Sequence, residues 1–444
     1  MKGHFTSITW TYIAVAVLAI PAAAMSQGIS GLYEDPGSFQ QLIDPYAAPA
    51  VGAEEVPGAV TPEILLHFRG KAVVDLIYDT GLVGSGVLFR PSTVILDGTP
   101  EARGRGQFRA SGSTSKVLFG LEANNVVGAP QGLAEFDFAG GPGDVEFGVG
   151  DSRLLRAFGT VSVGPTSELL GGKDWTTFAD AGALPFSAVT DGTPAGAVFR
   201  RQALLRYTRL HDNGLSHAIA IEDPTETDFV LPNPGAPNGP DRDIRLRRWP
   251  DLVARLRWVR PGDRAEIDRA QLAALVRGIG FEDVTGEEHF VTGWGIAGST
   301  RFRLWGDSNL QLGFVGGEGL GRYVYGFGAD SSVRDVTAAG PNEAGQLIPL
   351  RTIGAYVGYQ QYWSSRLVSN VAYGYAHVDP TAAMGGDVAQ RTQNAWANLV
   401  LEVRKNFFVA LEYQYGELRV NDGREGENHR IQMTFALESP KKSG

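Results

Sequence analysis

Asn406-Phe-Phe-Val-Ala-Leu-Glu-Tyr-Gln-Tyr415 is the stretch whose reading decides the fold. Side chains on a strand switch face at every residue, so Phe407, Val409, Leu411, Tyr413 and Tyr415 share one side and Phe408, Ala410, Glu412 and Gln414 the other. One side suits lipid and the other water. A soluble sandwich strand also alternates, but it would bury all five bulky residues in a core. A barrel wall instead wants its aromatics near the strand ends, where Phe407, Tyr413 and Tyr415 stand.

Working outward, alternating stretches of roughly ten residues recur from about residue 64 to the end, as in the wall of a transmembrane β-barrel. Sixteen strand candidates fall near 64–78, 105–122, 132–139, 152–162, 167–177, 198–208, 215–222, 251–259, 265–279, 291–303, 308–316, 351–362, 366–377, 391–403, 407–418 and 428–437. Alternate connections are short turns, such as Gly164-Pro-Thr166, His211-Asp-Asn-Gly214, Ser364-Ser365 and Arg404-Lys-Asn406. The others run long, over 79–104, 178–197, 223–250, 317–350 and 378–390, and are rich in Pro, Gly, Asp and Asn. The expected fold class is therefore all-β: a closed antiparallel barrel of about 16 strands, with short periplasmic turns and long extracellular loops.

The N-terminus fits an envelope destination. Lys2 precedes an apolar run from Ile8 to Ile20, and Ala22-Ala23-Ala24 or Ala24-Met25-Ser26 offers a small-x-small cleavage site. Residues 1–26 read as a signal peptide, since Pro21 closes the run short of the roughly 20 apolar residues a spanning helix needs. Residues 27–62, punctuated by five prolines, read as an irregular periplasmic lead-in. Residues 63–437 read as the barrel and 438–444 as a C-terminal tail.

Zero cysteines exclude disulfides and thiolate metal sites, and the seven histidines lack ligand spacing, so neither metal nor cofactor is expected. A formal net charge of -10 argues against a nucleic-acid partner. The mean hydropathy of -0.10 decides nothing, because half of every such strand faces water.

Parity places the charges. Phe199, Ala203, Leu205 and Tyr207 set the outward side of one strand, which turns Arg200, Gln202, Leu204 and Arg206 inward. Leu252, Ala254, Leu256 and Trp258 do the same for Asp251, Val253, Arg255 and Arg257. Arg69, Lys71 and Asp75 lie opposite Leu66, Phe68, Val74 and Leu76, and Arg109 lies opposite Phe108 and Ala110. Arg156 and Arg277 are further inward candidates, and Arg201 falls on the outward parity near a rim or subunit contact. The resulting lumen is more basic than the whole chain, and a ring of Arg or Lys is the usual device for passing anions. The same arginines would also face inward simply to brace the wall, because a charge facing lipid at mid-membrane costs about 2–4 kcal/mol. Trp249, Trp258, Trp363, Trp396, Tyr373 and Tyr375 are expected in the interfacial girdles.

The segments Leu96-Asp-Gly-Thr-Pro-Glu-Ala102, Asp174-Trp-Thr-Thr-Phe-Ala-Asp180, Val198-Phe-Arg-Arg-Gln-Ala-Leu-Leu-Arg-Tyr207, Pro250-Asp-Leu-Val-Ala-Arg-Leu-Arg-Trp258 and Ser369-Asn-Val-Ala-Tyr-Gly-Tyr375 together resemble the DcaP-like porins of Gram-negative outer membranes. The resemblance runs from about residue 62 to 437. It implies a homotrimeric sixteen-stranded porin whose third long loop folds into the lumen and which passes small anionic solutes such as dicarboxylates. Membrane lipid and lipopolysaccharide are the implied surroundings. Two features depart from the family pattern: residues 27–62 show no coiled-coil heptads, and the chain does not end on an aromatic residue. The loop between the fifth and sixth strands, with Asp174, Asp180 and Asp191 ahead of the Arg200/Arg206 strand, is the expected constriction.

Other classes have less support. No G-x-S-x-G elbow or converging nucleophile and base suggests an enzyme. About 36 residues ahead of the first strand are too few for the plug of a TonB-type receptor. A loop-presenting adhesion or structural barrel with little channel activity is the alternative.

Overall fold

In a computed structural model of the chain, residues 63–84, 86–104, 106–140, 151–189, 192–224, 243–261, 268–327 and 337–439 are described. The signal peptide and lead-in expected over 1–62 lie outside them.

Sixteen strands build one wall: β1 Glu63–Asp79, β2 Gln107–Ser111 resumed at Lys116–Asn124, β3 Gln131–Gly140, β4 Asp151–Gly164, β5 Ser167–Trp175, β6 Arg201–Leu210, β7 Leu215–Glu222, β8 Asp251–Val259, β9 Arg269–Glu282, β10 Glu288–Trp305, β11 Ser308–Glu318, β12 Arg351–Ser364, β13 Leu367–Val378, β14 Ala389–Arg404, β15 Phe407–Val420 and β16 Glu425–Glu438. Each pairs antiparallel with the next, and β16 returns to β1 from Lys71↔Glu438 to Asp79↔Arg430, so no edge is left open. The sixteen segments read from alternation all match these strands.

β2 carries a break that alternation did not reveal. Its first part faces Asp75–Asp79 and its second faces Glu63–Lys71. In the gap the Ser115 hydroxyl accepts from the Val73 amide at 3.0 Å, and Thr114 donates to Asp75 at 2.6 Å. Side chains thus replace the missing ladder bonds.

Burial runs opposite to that of a water-soluble protein. On β8, Asp251, Val253, Arg255 and Arg257 are buried while Leu252, Leu256 and Trp258 are exposed. The same inversion recurs at Leu66, Phe68, Ile219, Phe314 and Leu411, all exposed and all on outward parity. A continuous apolar exterior of this kind requires lipid. Among the described residues no helix is long and apolar enough to cross a membrane; the crossing is made by strands.

The connections divide by rim. One rim carries 125–130, 165–166, 211–214, 260–268, 306–307, 365–366 and 405–406, where Asn406 adopts a left-handed φ of 66°. The other carries the long loops, together with the short connections 283–287 and 421–424. Apolar packing concentrates inside the barrel toward the long-loop rim, where Val94, Leu96, Phe178, Val198, Leu320, Tyr323 and Phe327 join inward residues of the wall.

Candidate constriction and lumen charges

The connection 176–200 leaves β5 and crosses to the opposite wall. Near its start the Phe178 carbonyl accepts from Gln271 on β9 at 3.3 Å, and Asp180 accepts from Ser299 on β10 at 2.9 Å. Further on, the Phe186 carbonyl accepts from the Trp396 indole at 2.8 Å, and Glu412 on β15 takes the Ser187 hydroxyl and the Ala188 amide, both at 2.6 Å. Asn394 on β14 then accepts from the Ala195 amide at 2.7 Å and donates to the Thr193 carbonyl at 2.9 Å.

Glycines on the inner wall clear the track the loop follows. A Cβ at Gly358 would collide with Pro185, one at Gly374 with Pro194 and the backbone of Ala195, and one at Gly354 with Gly196. All three glycines sit on inward parity in β12 and β13.

The loop is not alone. Val198 bridges to Val324, and backbone bonds join Gly196 to Tyr325 and Phe199 to Tyr323, so the connection after β11 forms a second layer against it. Tyr323 donates to Asp251 at 2.7 Å and accepts from Gln202 at 2.7 Å. Its phenol is held well above the ordinary value by burial and by the neighbouring Glu222 and Asp251 carboxylates. The connection 80–106 adds a third layer: the Phe89 carbonyl accepts from the Tyr325 hydroxyl at 3.2 Å.

The candidate residues fall into two groups. Asp180 of the loop comes together with Arg255 and Arg257 of the wall beneath it, with Arg269 as a further partner 3.5 Å from Asp180. Burial alone would push the Asp180 carboxyl up, but Arg269, Arg257, the Ser299 hydroxyl and Arg255 outweigh it and hold it below the ordinary value. Arg257 donates twice to Gln271, at 3.1 and 2.6 Å. Arg206 pairs with Asp174 at 2.9 Å nearby. Arg69, Lys71 and Arg109 stand apart on β1 and β2, partly exposed to the lumen, with Arg109 4.0 Å from Asp79.

Arg200 lies at the loop's end, just before β6 and partly exposed, while Arg206, Arg255 and Arg257 are only 2–4% exposed and so lie under the loops. Asp174 belongs to β5 rather than to the loop, because its backbone stays in register with Gln202. Asp191 lies outside the described residues. Arg156 and Arg277 face inward, 2.7 Å from Glu135 and 3.4 Å from Asp251. Arg201 lies over the Trp175 ring at 4.5 Å. Trp396, read from sequence as a girdle residue, is instead inward and buried, since β14 turns its even-numbered residues to the lumen.

Sequence reasoning passed over Asn394, Arg269 and Tyr323 and gave Glu412 no partner. Inward parity marked Glu412, but nothing local indicates what a distant loop will bring to it. The inward glycines were the available signal: on a barrel wall they mark places where another backbone comes close.

No family model matches the chain, and no curated protein matches it. Among solved structures, it is similar to the outer membrane channel DcaP of Acinetobacter baumannii, with 20% identity, a TM-score of 0.67 and coverage of 85% of this chain and 97% of that one. The chain has the DcaP fold. An anion-selective porin from Comamonas acidovorans (10% identity, TM-score 0.49, 85% and 100% covered) and the trimer form of OmpT of Vibrio cholerae (11%, 0.48, 85% and 99%) are looser likenesses that carry no functional weight. With one residue in five shared, the likeness to DcaP speaks for the backbone and leaves the lumen chemistry to the residues of this chain.

Proposed function

We propose that this protein is an outer-membrane porin giving passive diffusion of small hydrophilic, preferentially anionic solutes of dicarboxylate type, and that it assembles as a homotrimer in a lipid and lipopolysaccharide membrane. The observation that carries the reading is a closed sixteen-strand wall with an apolar exterior, spanned inside by a loop hydrogen-bonded from β9 to β15. A barrel of this strand number has room for an aqueous channel. Support for anion preference comes from Arg69, Lys71, Arg109 and Arg200, inward basic residues that retain access to the lumen, and from the buried Arg206, Arg255 and Arg257 whose field adds to theirs. Arginine suits the task because its fork stays charged and meets a carboxylate with two hydrogen bonds.

Reversal potential in a salt gradient across a planar bilayer tests the reading. A potential of the sign set by anion flow is expected, and cation preference overturns it. The apolar packing of three loops at one rim favours a second reading, a loop-presenting barrel with little conductance. Absence of single-channel steps from correctly folded protein would select that alternative.

A further inference from the structure

Lys71 on β1 and Lys116 on β2 are direct cross-strand partners. Both point inward: Val73 and Asp75, on the parity of Lys71, are buried, and the outward neighbours Val74 and Phe119 are exposed. Like charges directly opposite one another weaken a sheet, so this pairing calls for negative charge between or beside them.

The acids present supply it incompletely. Glu438 lies 3.4 Å from the Lys71 ammonium and Glu135 lies 3.5 Å from that of Lys116. Both distances exceed the roughly 2.7–2.9 Å of a charge-assisted hydrogen bond. Glu135 is held more closely by Arg156, at 2.7 Å. Each ammonium has three donors, and the two lysine side chains are 32% and 33% exposed, unlike the arginines beneath the loop. Arg69, two positions from Lys71 on the same face, adds a third cation.

The pair also has a definite level in the pore. Glu412, which holds the loop, is opposite Gln432, and Gln432 is opposite Ile77. From Ile77 to Lys71 is 77 − 71 = 6 residues, about 20 Å along the strand at roughly 3.3 Å per residue. The lysines therefore lie on the short-turn side of the constriction.

We propose that Lys71 and Lys116, assisted by Arg69, form an anion site on the short-turn side of the constriction that takes a small dianion with one carboxylate on each ammonium. The site deepens the porin reading and rests on it. A dianion entering from the short-turn rim reaches it without passing the loop.

The test uses the full-length barrel in a planar bilayer, with succinate as probe, acetate as the single-carboxylate control, and each added to one side at a time. Succinate should block chloride current at lower concentration from one side than from the other, and acetate should not block at matched concentration. K71Q/K116Q should raise the half-blocking succinate concentration about a hundredfold, the scale of two lost charge-assisted hydrogen bonds at about tenfold each, while K71R/K116R keeps the block. Equal block of wild type and K71Q/K116Q, or no block of an anion-preferring wild type, overturns the site and leaves the porin reading standing. A cation-preferring wild type overturns the anionic reading itself. Both variants leave the ladder bonds intact, and heat-modifiable migration reports closure.

Discussion

The Ser187 hydroxyl donates to Glu412 at 2.6 Å, tying the inward loop to a wall strand 225 positions further along the chain. The same carboxylate takes the Ala188 amide at 2.6 Å and the Asn398 amide at 2.8 Å, with Gln414 as a fourth donor. All four donors are neutral. The charge is held by dipoles drawn from the loop and the wall together, so it registers whether the loop is in place.

Replacing Glu412 with Ala should free the loop from β15. Each hydrogen bond to a charged acceptor contributes about 1.5–3 kcal/mol, and two of the four come from the loop. Single-channel conductance should rise and become noisier while the barrel still closes. Wild-type conductance from a heat-modifiable variant would mean the loop does not limit flow.

Gly374→Val should act in the opposite sense. The added side chain would stand between the inner wall and Ala195, while Glu412 continues to hold the loop at Ser187 and Ala188. The loop is pushed toward the lumen axis and conductance should fall. No change, or a rise, would show that the glycine track does not seat the loop.

Acidification should loosen the loop late. The Asp180 carboxyl lies below its ordinary value of 3.8 when docked, so its contribution is fully present above that value and is lost as pH falls through the docked value. The difference in conductance noise between wild type and D180N isolates the Asp180 contact, and it should stay level from about pH 7 to about pH 5 and close only below about pH 4. D180N should be noisy throughout. A difference that closes near neutrality would rule Asp180 out as the titrating contact.

Leu256→Arg should reduce yield of folded barrel, because Leu256 is exposed on the outward face in the middle of β8. A charge there costs about 2–4 kcal/mol in the bilayer midplane. Folding into vesicles monitored by the mobility shift measures it, and an unshifted midpoint would contradict a lipid-facing Leu256.

The wall was legible because its period is local. On β8, nine residues of alternating Leu, Ala, Arg and Trp carry enough information to place each side chain. The mouth was not legible, because Val198 meets Val324 and Tyr325 meets Phe89 through contacts between loops far apart in sequence. Parity put Arg255 and Arg257 inward but could not tell a wetted arginine from one covered by a loop. That difference depends on which carbonyls and carboxylates a distant segment brings. The break in β2 escaped for a related reason: Ser115 and Thr114 replace ladder bonds with side-chain oxygens, which leaves the apolar pattern on either side undisturbed.

The seam between β1 and β16 implies an order of assembly. Arg430, on the last strand, pairs with Asp79 at 2.8 and 2.9 Å and donates to the carbonyls of Val87 and Gly86 at 2.6 and 2.8 Å. The guanidinium that closes the cylinder is thus also the peg on which the first connection hangs. Until the final hairpin arrives, the Gly86 and Val87 carbonyls lack the guanidinium that anchors them, so a chain stalled one strand short would present a loosened entrance to proteases. Completion of the barrel and dressing of its mouth become a single event.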